Sequence, residues 1–200
     1  YTRYFRGCKR IVDLGCGRGE FLDLLRNENL EAIGVDSDSD MVQICTKARL
    51  NALCEDIFSF LERGDKYDGI SASHIIEHLD SRDAERLLDA CHKSLSSGGR
   101  LLIITPNPEN LLVISKAFWL DLTHIRPYPL ILLEEMLKES GFSIVCSGED
   151  PATRGHIRWQ RLRMFLAKMT LPIIGMKPLW NYLHAAQDIF VVGEKNECKD

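Results

Sequence analysis

The sequence predicts an α/β fold with a Rossmann-like, doubly wound sheet and helices on both of its faces. Short apolar segments alternate with helical segments along the chain, at the spacing typical of a parallel sheet. The first apolar segment leads into a glycine-rich loop, Gly15-Cys16-Gly17-Arg18-Gly19, which opens a helix. The second ends at Asp36, twenty-one residues after Gly15. A strand, a tight glycine loop and an acid at the end of the next strand together indicate a site for a ribose-bearing cofactor.

The first half of the chain contains four predicted strands and two predicted helices. The strand at 10–14 is an apolar run that ends at the glycine loop, and the helix at 19–28 carries apolar residues at 21, 22, 24 and 25. The strand at 31–36 precedes a helix that Ser37 or Asp38 can cap and that runs to about 48. Further apolar runs predict strands at 51–55 and 67–72.

The second half continues the alternation. A helix is predicted at 81–96, because Asp80 or Ser81 can cap it and apolar residues recur at helical spacing until Gly98-Gly99 ends it. A strand at 100–105, a helix at 130–140 that stops at Gly141, and a strand at 142–148 follow. The apolar run at 187–195 predicts the last strand. We expect residues 1–200 to form one domain, with insertions at 106–129 and 151–186.

Composition narrows the class of protein. With 45% hydrophobic and 27% charged residues, the chain resembles an ordinary water-soluble globular protein. The seven cysteines are odd in number, scattered and without a C-x-x-C pair, so neither a disulfide framework nor a zinc knuckle is indicated. Neither a signal peptide nor an apolar run of membrane-spanning length is visible, and we expect a cytoplasmic location. Because the sequence starts at Tyr1 rather than Met, we expect residues to be missing before it.

The glycine loop departs from the dinucleotide-binding fingerprint. That fingerprint is G-x-G-x-x-G/A, and Glu20 stands where its third small residue should be. A carboxylate at this position would repel a phosphate group at the helix start, so a pyrophosphate cofactor is disfavoured.

The stretch Asp13-Leu14-Gly15-Cys16-Gly17 instead resembles motif I of the class I S-adenosylmethionine-dependent methyltransferases of the type 11/23 kind. Later motifs match in the same order, at 33–36, 54–57, 67–79 and 98–104, and the resemblance covers roughly residues 8–150 and 187–195. It implies S-adenosyl-L-methionine as cofactor, and a seven-stranded sheet with six parallel strands, an antiparallel last strand and a helical insertion before it. The implied cofactor-binding residues are Asp13, Gly15, Cys16, Gly17, Asp36, Ser37, Asp56, Ile57 and Ser73.

Two histidines are candidates for a catalytic base near neutral pH. His74 follows the fourth strand, where the methyl group should point, and is the first candidate. Its alternative role is a neutral imidazole that shapes the pocket or contacts the methionine end of the cofactor. The pentad His74-Ile75-Ile76-Glu77-His78 also matches the H-x-x-E-H pattern of inverted zinc peptidases. It directly follows a strand and lacks an obvious third ligand, so we expect no metal, and Glu77 and His78 are interpreted as structural or cofactor-side residues.

The insertion at 106–129 is expected to determine acceptor specificity, because the core is committed to the cofactor. Its D-x-T-H-x-x-P run, from Asp121 to Pro127, resembles methyltransferases of bacterial and archaeal glycan assembly. His124, on this loop over the mouth of the active site, is the second candidate base, and Arg126 and Tyr128 are candidate acceptor contacts. The alternative is that Asp121 and Thr123 cap a turn while His124 bonds to backbone.

The insertion at 151–186 carries a formal charge of +6 without any acid, in a chain of net charge −4. Basic residues interleaved with large apolar ones suit an anionic ligand or a peripheral membrane contact. A helical lid or a homodimer arm is the alternative, and nucleic acid is disfavoured by the acidic remainder of the chain.

Three functions stay open on this basis. The first is O-methylation of a small-molecule or glycan acceptor, and the second is methylation of a lipid or quinone-like acceptor at a membrane surface. The third is a non-catalytic cofactor-binding module of a larger protein.

Overall fold

The computed structural model describes residues 1–153 and 185–196. Seven strands form one sheet in these residues: β1 (Ile11–Leu14), β2 (Ala32–Asp36), β3 (Ala52–Cys54), β4 (Tyr67–Ser73), β5 (Leu95–Pro106), β6 (Phe142–Glu149) and β7 (Asp188–Lys195). Their order is β3-β2-β1-β4-β5-β7-β6. Neighbouring pairs among β1 to β5 are parallel, whereas β7 pairs antiparallel with both β5 and β6. The predicted sheet of six parallel strands and an antiparallel last strand is confirmed.

Five α-helices connect the strands: α1 (Glu20–Asn27), α2 (Ser39–Lys47), α3 (Ile57–Leu61), α4 (Ser81–Ser94) and α5 (Leu130–Glu139). Aspartates cap three of them. The Asp38 carboxylate accepts from the backbone N–H of Asp40 at the start of α2, and Asp80 accepts from Asp83 at the start of α4. The short α3 was not predicted, because five residues are too few to display helical periodicity.

The core lies on both faces of the sheet, as period-two alternation along the strands requires. On β5, Leu101 and Ile103 pack in the cluster that includes α4 and α5, whereas Leu102 and Ile104 pack on the opposite face with Leu25 of α1. Both clusters are fully or almost fully buried. The predicted helices on both faces are thus confirmed.

Two boundaries differ from prediction. Helix α4 ends at Ser94, and β5 begins at Leu95 rather than at 100. Gly98 adopts a left-handed backbone conformation, with φ of 72°, so the glycine pair lies inside an irregular strand rather than after a helix. The pairing of β4 with β5 shifts register there.

The insertion at 106–129 contains a π-helical turn, Val113–Ala117, followed by a 3-10 turn, Phe118–Leu120. Most of the predicted insertion at 151–186 lies outside the described residues, so its predicted helical character stays a prediction. Among the residues that the structure describes, no helix has the length and apolar character needed to cross a membrane.

Candidate functional site

The glycine loop between β1 and α1 forms an open cradle at the carboxyl edge of the sheet. Gly17 has a φ of 52°, a conformation that residues with a Cβ rarely adopt. A Cβ at Gly17 would meet no atom within 4 Å, whereas a Cβ at Gly15 would lie 2.9 Å from Cδ1 of Ile75. The backbone of Gly17 therefore faces open space in which a ligand can approach it closely, while Gly15 packs against the protein.

Asp36, the last residue of β2, holds this loop. Its Oδ2 accepts a hydrogen bond from the Gly17 N–H at 2.8 Å, and its Oδ1 accepts from the Asp38 N–H at 2.9 Å. Each carboxylate oxygen has a second lone-pair direction, so the half-buried Asp36 can still accept from the two hydroxyls of a ribose.

Asp13 lies in β1 directly beneath the loop and is 3% exposed. Burial raises the pKa of Asp13 to about 7, because a carboxylate is poorly solvated in the protein interior. The Ser71 side chain opposes this rise in pKa, whereas the negative charges of Asp36 and Glu20 add to it. Asp13 is thus a carboxyl group that changes charge near neutral pH, at the base of the cradle.

The remaining predicted cofactor residues contribute in different ways. The Cys16 side chain is buried against Leu22 and Cys45, so only its backbone is available to a ligand. Oδ1 of Asp56 accepts from the N–H groups of Phe58 and Ser59, both at 3.0 Å, and thereby caps α3, which begins at Ile57. Ser37 is exposed between β2 and α2, and Ser73 ends β4.

The cradle fits a ribose-bearing group without phosphates. Gly17 leaves room for close approach, Asp36 offers acceptors for a diol, and the exposed edge at Ser37 and Asp56 leaves space for a base. Glu20 is the first residue of α1, so a negative charge lies where a pyrophosphate would otherwise bind.

His74 follows β4 at the same edge of the sheet. It has a φ of 54°, a left-handed conformation that is uncommon for a residue other than glycine. Its backbone N–H donates to the carbonyl of Ile104 at 2.9 Å, and its Nδ1 lies 3.0 Å from Oε1 of Glu77. The hydrogen bond with Glu77 raises the pKa of His74, although burial partly opposes this rise. The ring is half exposed, and its Nε2 lies 4.0 Å from Oδ1 of Asp188.

Glu77 connects His74 to the rest of the structure. Its carboxylate is fully buried, and Oε2 accepts from the Thr105 hydroxyl at 3.0 Å. Its backbone carbonyl accepts from the N–H of Ile125 at 2.8 Å, which fixes the insertion against the turn after β4. Sequence reasoning identified Glu77 only as part of a motif and missed Thr105 and Asp188. Thr105 is a polar residue near the end of β5, after a run of apolar residues, and Asp188 is an acid at the start of β7. These positions are the sequence signals that could have identified both residues.

The insertion folds around His124. Its Nδ1 lies 2.8 Å from the carbonyl oxygen of Phe118, and its ring centre lies 4.7 Å from that of His78. Oδ1 of Asp121 accepts from both the N–H and the hydroxyl of Thr123. This arrangement matches the alternative in which Asp121 and Thr123 cap a turn and His124 bonds to backbone.

The two candidate acceptor contacts have different environments. Tyr128 is fully buried, and its hydroxyl donates to the carbonyls of Leu79 and Asp80. Its side chain therefore belongs to the core, which corrects the expectation that it contacts an acceptor. The guanidinium of Arg126 lies over the Tyr128 ring, 4.9 Å from its centre, and the Arg126 side chain is partly exposed.

Comparisons with known proteins agree with this geometry. A family model described as "Methyltransferase domain" matches residues 3–147. The structure of a SAM-dependent methyltransferase from Archaeoglobus fulgidus is 30% identical, with a TM-score of 0.80 over 98% of this chain and 90% of that one.

Curated relatives match over shorter stretches. A ubiquinone biosynthesis O-methyltransferase of Coxiella burnetii is 25% identical over 105 residues, which are 50% of this chain and 44% of that protein. The tRNA (carboxymethyluridine(34)-5-O)-methyltransferase of Mus musculus is 31% identical over 46% of this chain and 14% of that protein. The chain thus spans less than half the length of these curated relatives.

Proposed function

We propose that this chain, which belongs to the class I S-adenosylmethionine-dependent methyltransferases, transfers a methyl group to a hydroxyl oxygen of a small-molecule or glycan acceptor. The observation that carries this proposal is the His74–Glu77 pair at the carboxyl end of β4, beside the glycine cradle. A hydroxyl acceptor benefits from a base within reach, and this pair supplies one.

The cradle would hold the cofactor. Gly17 would face it through its backbone, Asp36 would accept from its ribose hydroxyls, and Asp56 and Ile57 would contact its adenine. When bound, S-adenosylmethionine would supply a methyl group from a cationic sulfur, which would keep the electron pair of the carbon–sulfur bond. The protein's main contribution to rate is to align the acceptor oxygen with that methyl carbon.

The His74–Glu77 pair has the hydrogen bonding that a general base requires. With Nδ1–H donated to the Glu77 carboxylate, the lone pair of His74 lies on Nε2, on the side of Asp188. The acceptor oxygen would form its bond to the methyl carbon and release its proton to Nε2. The buried carboxylate of Glu77, fixed in turn by Thr105, would stabilise the charged imidazole.

A lipid or quinone-like acceptor is the second candidate, because the insertion exposes an apolar surface. Leu120 is 71% exposed and Leu122 is 97% exposed, and Trp119 lies beside them at 56%. Contiguous exposed apolar side chains often mark a binding site for a protein, a membrane or an apolar ligand. The similarity to a ubiquinone biosynthesis O-methyltransferase supports the same class of acceptor. Binding to anionic lipid vesicles that weakens with salt would favour this candidate.

The first experiment is calorimetric titration of S-adenosylmethionine and S-adenosylhomocysteine into the wild type, Asp36→Ala and Asp40→Ala. Asp40 is an exposed acid on α2 and serves as the matched control. We expect micromolar binding to the wild type and the control, and at least about a tenfold loss in Asp36→Ala, since a charge-assisted pair of hydrogen bonds disappears. Failure of a folded wild type to bind either compound would contradict the cofactor assignment.

Acceptor screening then tests the reaction. Sugar-containing, phenolic and lipid-linked acceptors would be compared in wild type and in Glu77→Gln, which keeps the shape of the side chain but removes its charge. We expect about 10²-fold slower turnover in the variant with unchanged cofactor binding. Cofactor binding without turnover on any acceptor would instead favour the non-catalytic module.

A further inference from the structure

The H-x-x-E-H pentad has a third potential metal ligand that the sequence does not reveal. Glu77, His78 and His124 each offer a ligand atom, and these atoms lie within 4.8 Å of one another. His124 comes from the insertion, 46 residues after His78 along the chain. We propose that these three residues bind a divalent transition metal ion of the zinc type.

Hydrogen bonds fix the tautomers of both histidines. The Thr123 hydroxyl donates its only proton to Oδ1 of Asp121 at 2.6 Å. It must therefore accept from His78, whose Nδ1 lies 2.8 Å away and so carries the proton. His124 Nδ1 lies 2.8 Å from the Phe118 carbonyl oxygen, which can only accept.

Both imidazoles thus carry the proton on Nδ1 and the lone pair on Nε2. A histidine that donates its Nδ1–H to a hydroxyl or a backbone carbonyl, while its Nε2 remains available, has the arrangement typical of metal-ligating histidines. The ring geometry also agrees. Two imidazoles bound to one tetrahedral zinc ion have centres about 5 Å apart, and those of His78 and His124 are 4.7 Å apart.

Glu77 completes the ligand set. Its carboxylate is fully buried, and its two oxygens already accept from His74 and Thr105 at 3.0 Å each. Each oxygen retains a second lone pair, so a cation can be added without breaking either hydrogen bond. Two neutral histidines and one carboxylate form a ligand set that zinc accepts, with a fourth position left for water or another ligand.

The proposed ion would connect the insertion to the turn after β4, which contains Glu77 and His78. The insertion already contacts this turn through the Ile125 N–H, which donates to the Glu77 carbonyl, and through the Thr123–His78 hydrogen bond. His74 stays outside the ligand set, so the pentad does not reproduce the peptidase pattern. His124 becomes a ligand rather than a second base.

The test is binding of Zn²⁺ and Co²⁺ to the full chain after chelator treatment. Calorimetry should give one Zn²⁺ per wild-type chain, and Co²⁺ should produce the absorption bands of a four-coordinate site with nitrogen and oxygen ligands. His124→Ala should lose both signals. His92→Gln should keep them, because His92 lies on α4 against Phe142, outside the cluster.

Thr123→Val keeps all three ligands and removes only the hydroxyl that orients His78. It should weaken Zn²⁺ binding by about 10- to 100-fold. Thermal unfolding provides a second readout, because an ion that binds only the folded state raises the melting temperature. Zn²⁺ should raise that temperature in the wild type and in His92→Gln, but not in His124→Ala. Absence of saturable Zn²⁺ binding to the wild type would overturn the proposal. Binding of Zn²⁺ to His124→Ala and Thr123→Val with the affinity of the wild type would overturn it as well.

Discussion

Replacing Asp13 by asparagine should change how the stability of this protein depends on pH. The native carboxyl has a pKa of about 7 because it is buried, against 3.8 for a freely solvated aspartate. Between these two pH values the native state holds a proton that the unfolded chain has released. The free energy of unfolding therefore falls as the pH rises through this window, and the stabilising contribution of the protonated form is lost by about pH 7. Asparagine has no proton to lose, so Asp13→Asn should lack this contribution.

The size of the effect follows from the pKa difference. One pKa unit corresponds to about 1.4 kcal/mol, so about three units amount to about 4 kcal/mol. The interval from about pH 5 to the native pKa covers about two of those units. The free energy of unfolding should therefore fall by about 3 kcal/mol between about pH 5 and about pH 8.

Urea unfolding at a series of pH values would measure this loss in wild type, Asp13→Asn and Asp40→Asn. Asp40→Asn makes the same change at an exposed acid and controls for the general loss of one negative charge. If the wild type and Asp13→Asn lost stability in parallel across this range, the attribution to a buried, protonated Asp13 would be refuted.

Substitutions at three further positions test the packing and the hydrogen bonds around the site. Gly34→Ala would place a Cβ 2.5 Å from the Cys16 sulfur, so the free energy of unfolding should fall by about 1–3 kcal/mol in urea. Tyr128→Phe removes a buried hydroxyl that donates to two carbonyls, and it should cost about 1–2 kcal/mol in the same assay without changing cofactor affinity. Thr105→Val removes the donor to Glu77 Oε2 and should lower stability by about 1–3 kcal/mol. Thr105→Ser, which restores the hydroxyl, should recover most of that loss.

The strands could be predicted from the sequence because their signals are local. β1 and β2 are apolar runs that end at a glycine loop and at an acid, and the observed bounds lie within one residue of the predicted ones. β5 was misplaced at its start because Leu95 fits both the apolar spacing of α4 and a strand. Only tertiary pairing decides between them, and Leu95 pairs with Tyr67 of β4.

The cofactor half of the site was also visible locally. Gly17 and Asp36 are nineteen residues apart, and the hydrogen bond between them follows from parallel pairing of neighbouring strands. The residues around the candidate base were harder to predict, because they come from segments that are far apart in the sequence. Thr105 reaches Glu77 over 28 residues, and the Nε2 of His74 faces Asp188 on the antiparallel last strand. Such contacts leave no periodic pattern in the sequence.

Glu77 links the candidate base to the end of β5 and to the insertion. It is one of the few charged side chains that are completely buried, and an unpaired buried carboxylate would destabilise the protein by several kcal/mol. His74 and Thr105 satisfy its two oxygens, while its backbone carbonyl holds the insertion through Ile125. The left-handed backbone of His74 is tolerated because its N–H is bonded to β5 and its ring to this carboxylate. The carboxylate of Glu77 therefore orients the candidate base, whereas the backbone carbonyl of the same residue holds the insertion and is kept in any side-chain variant.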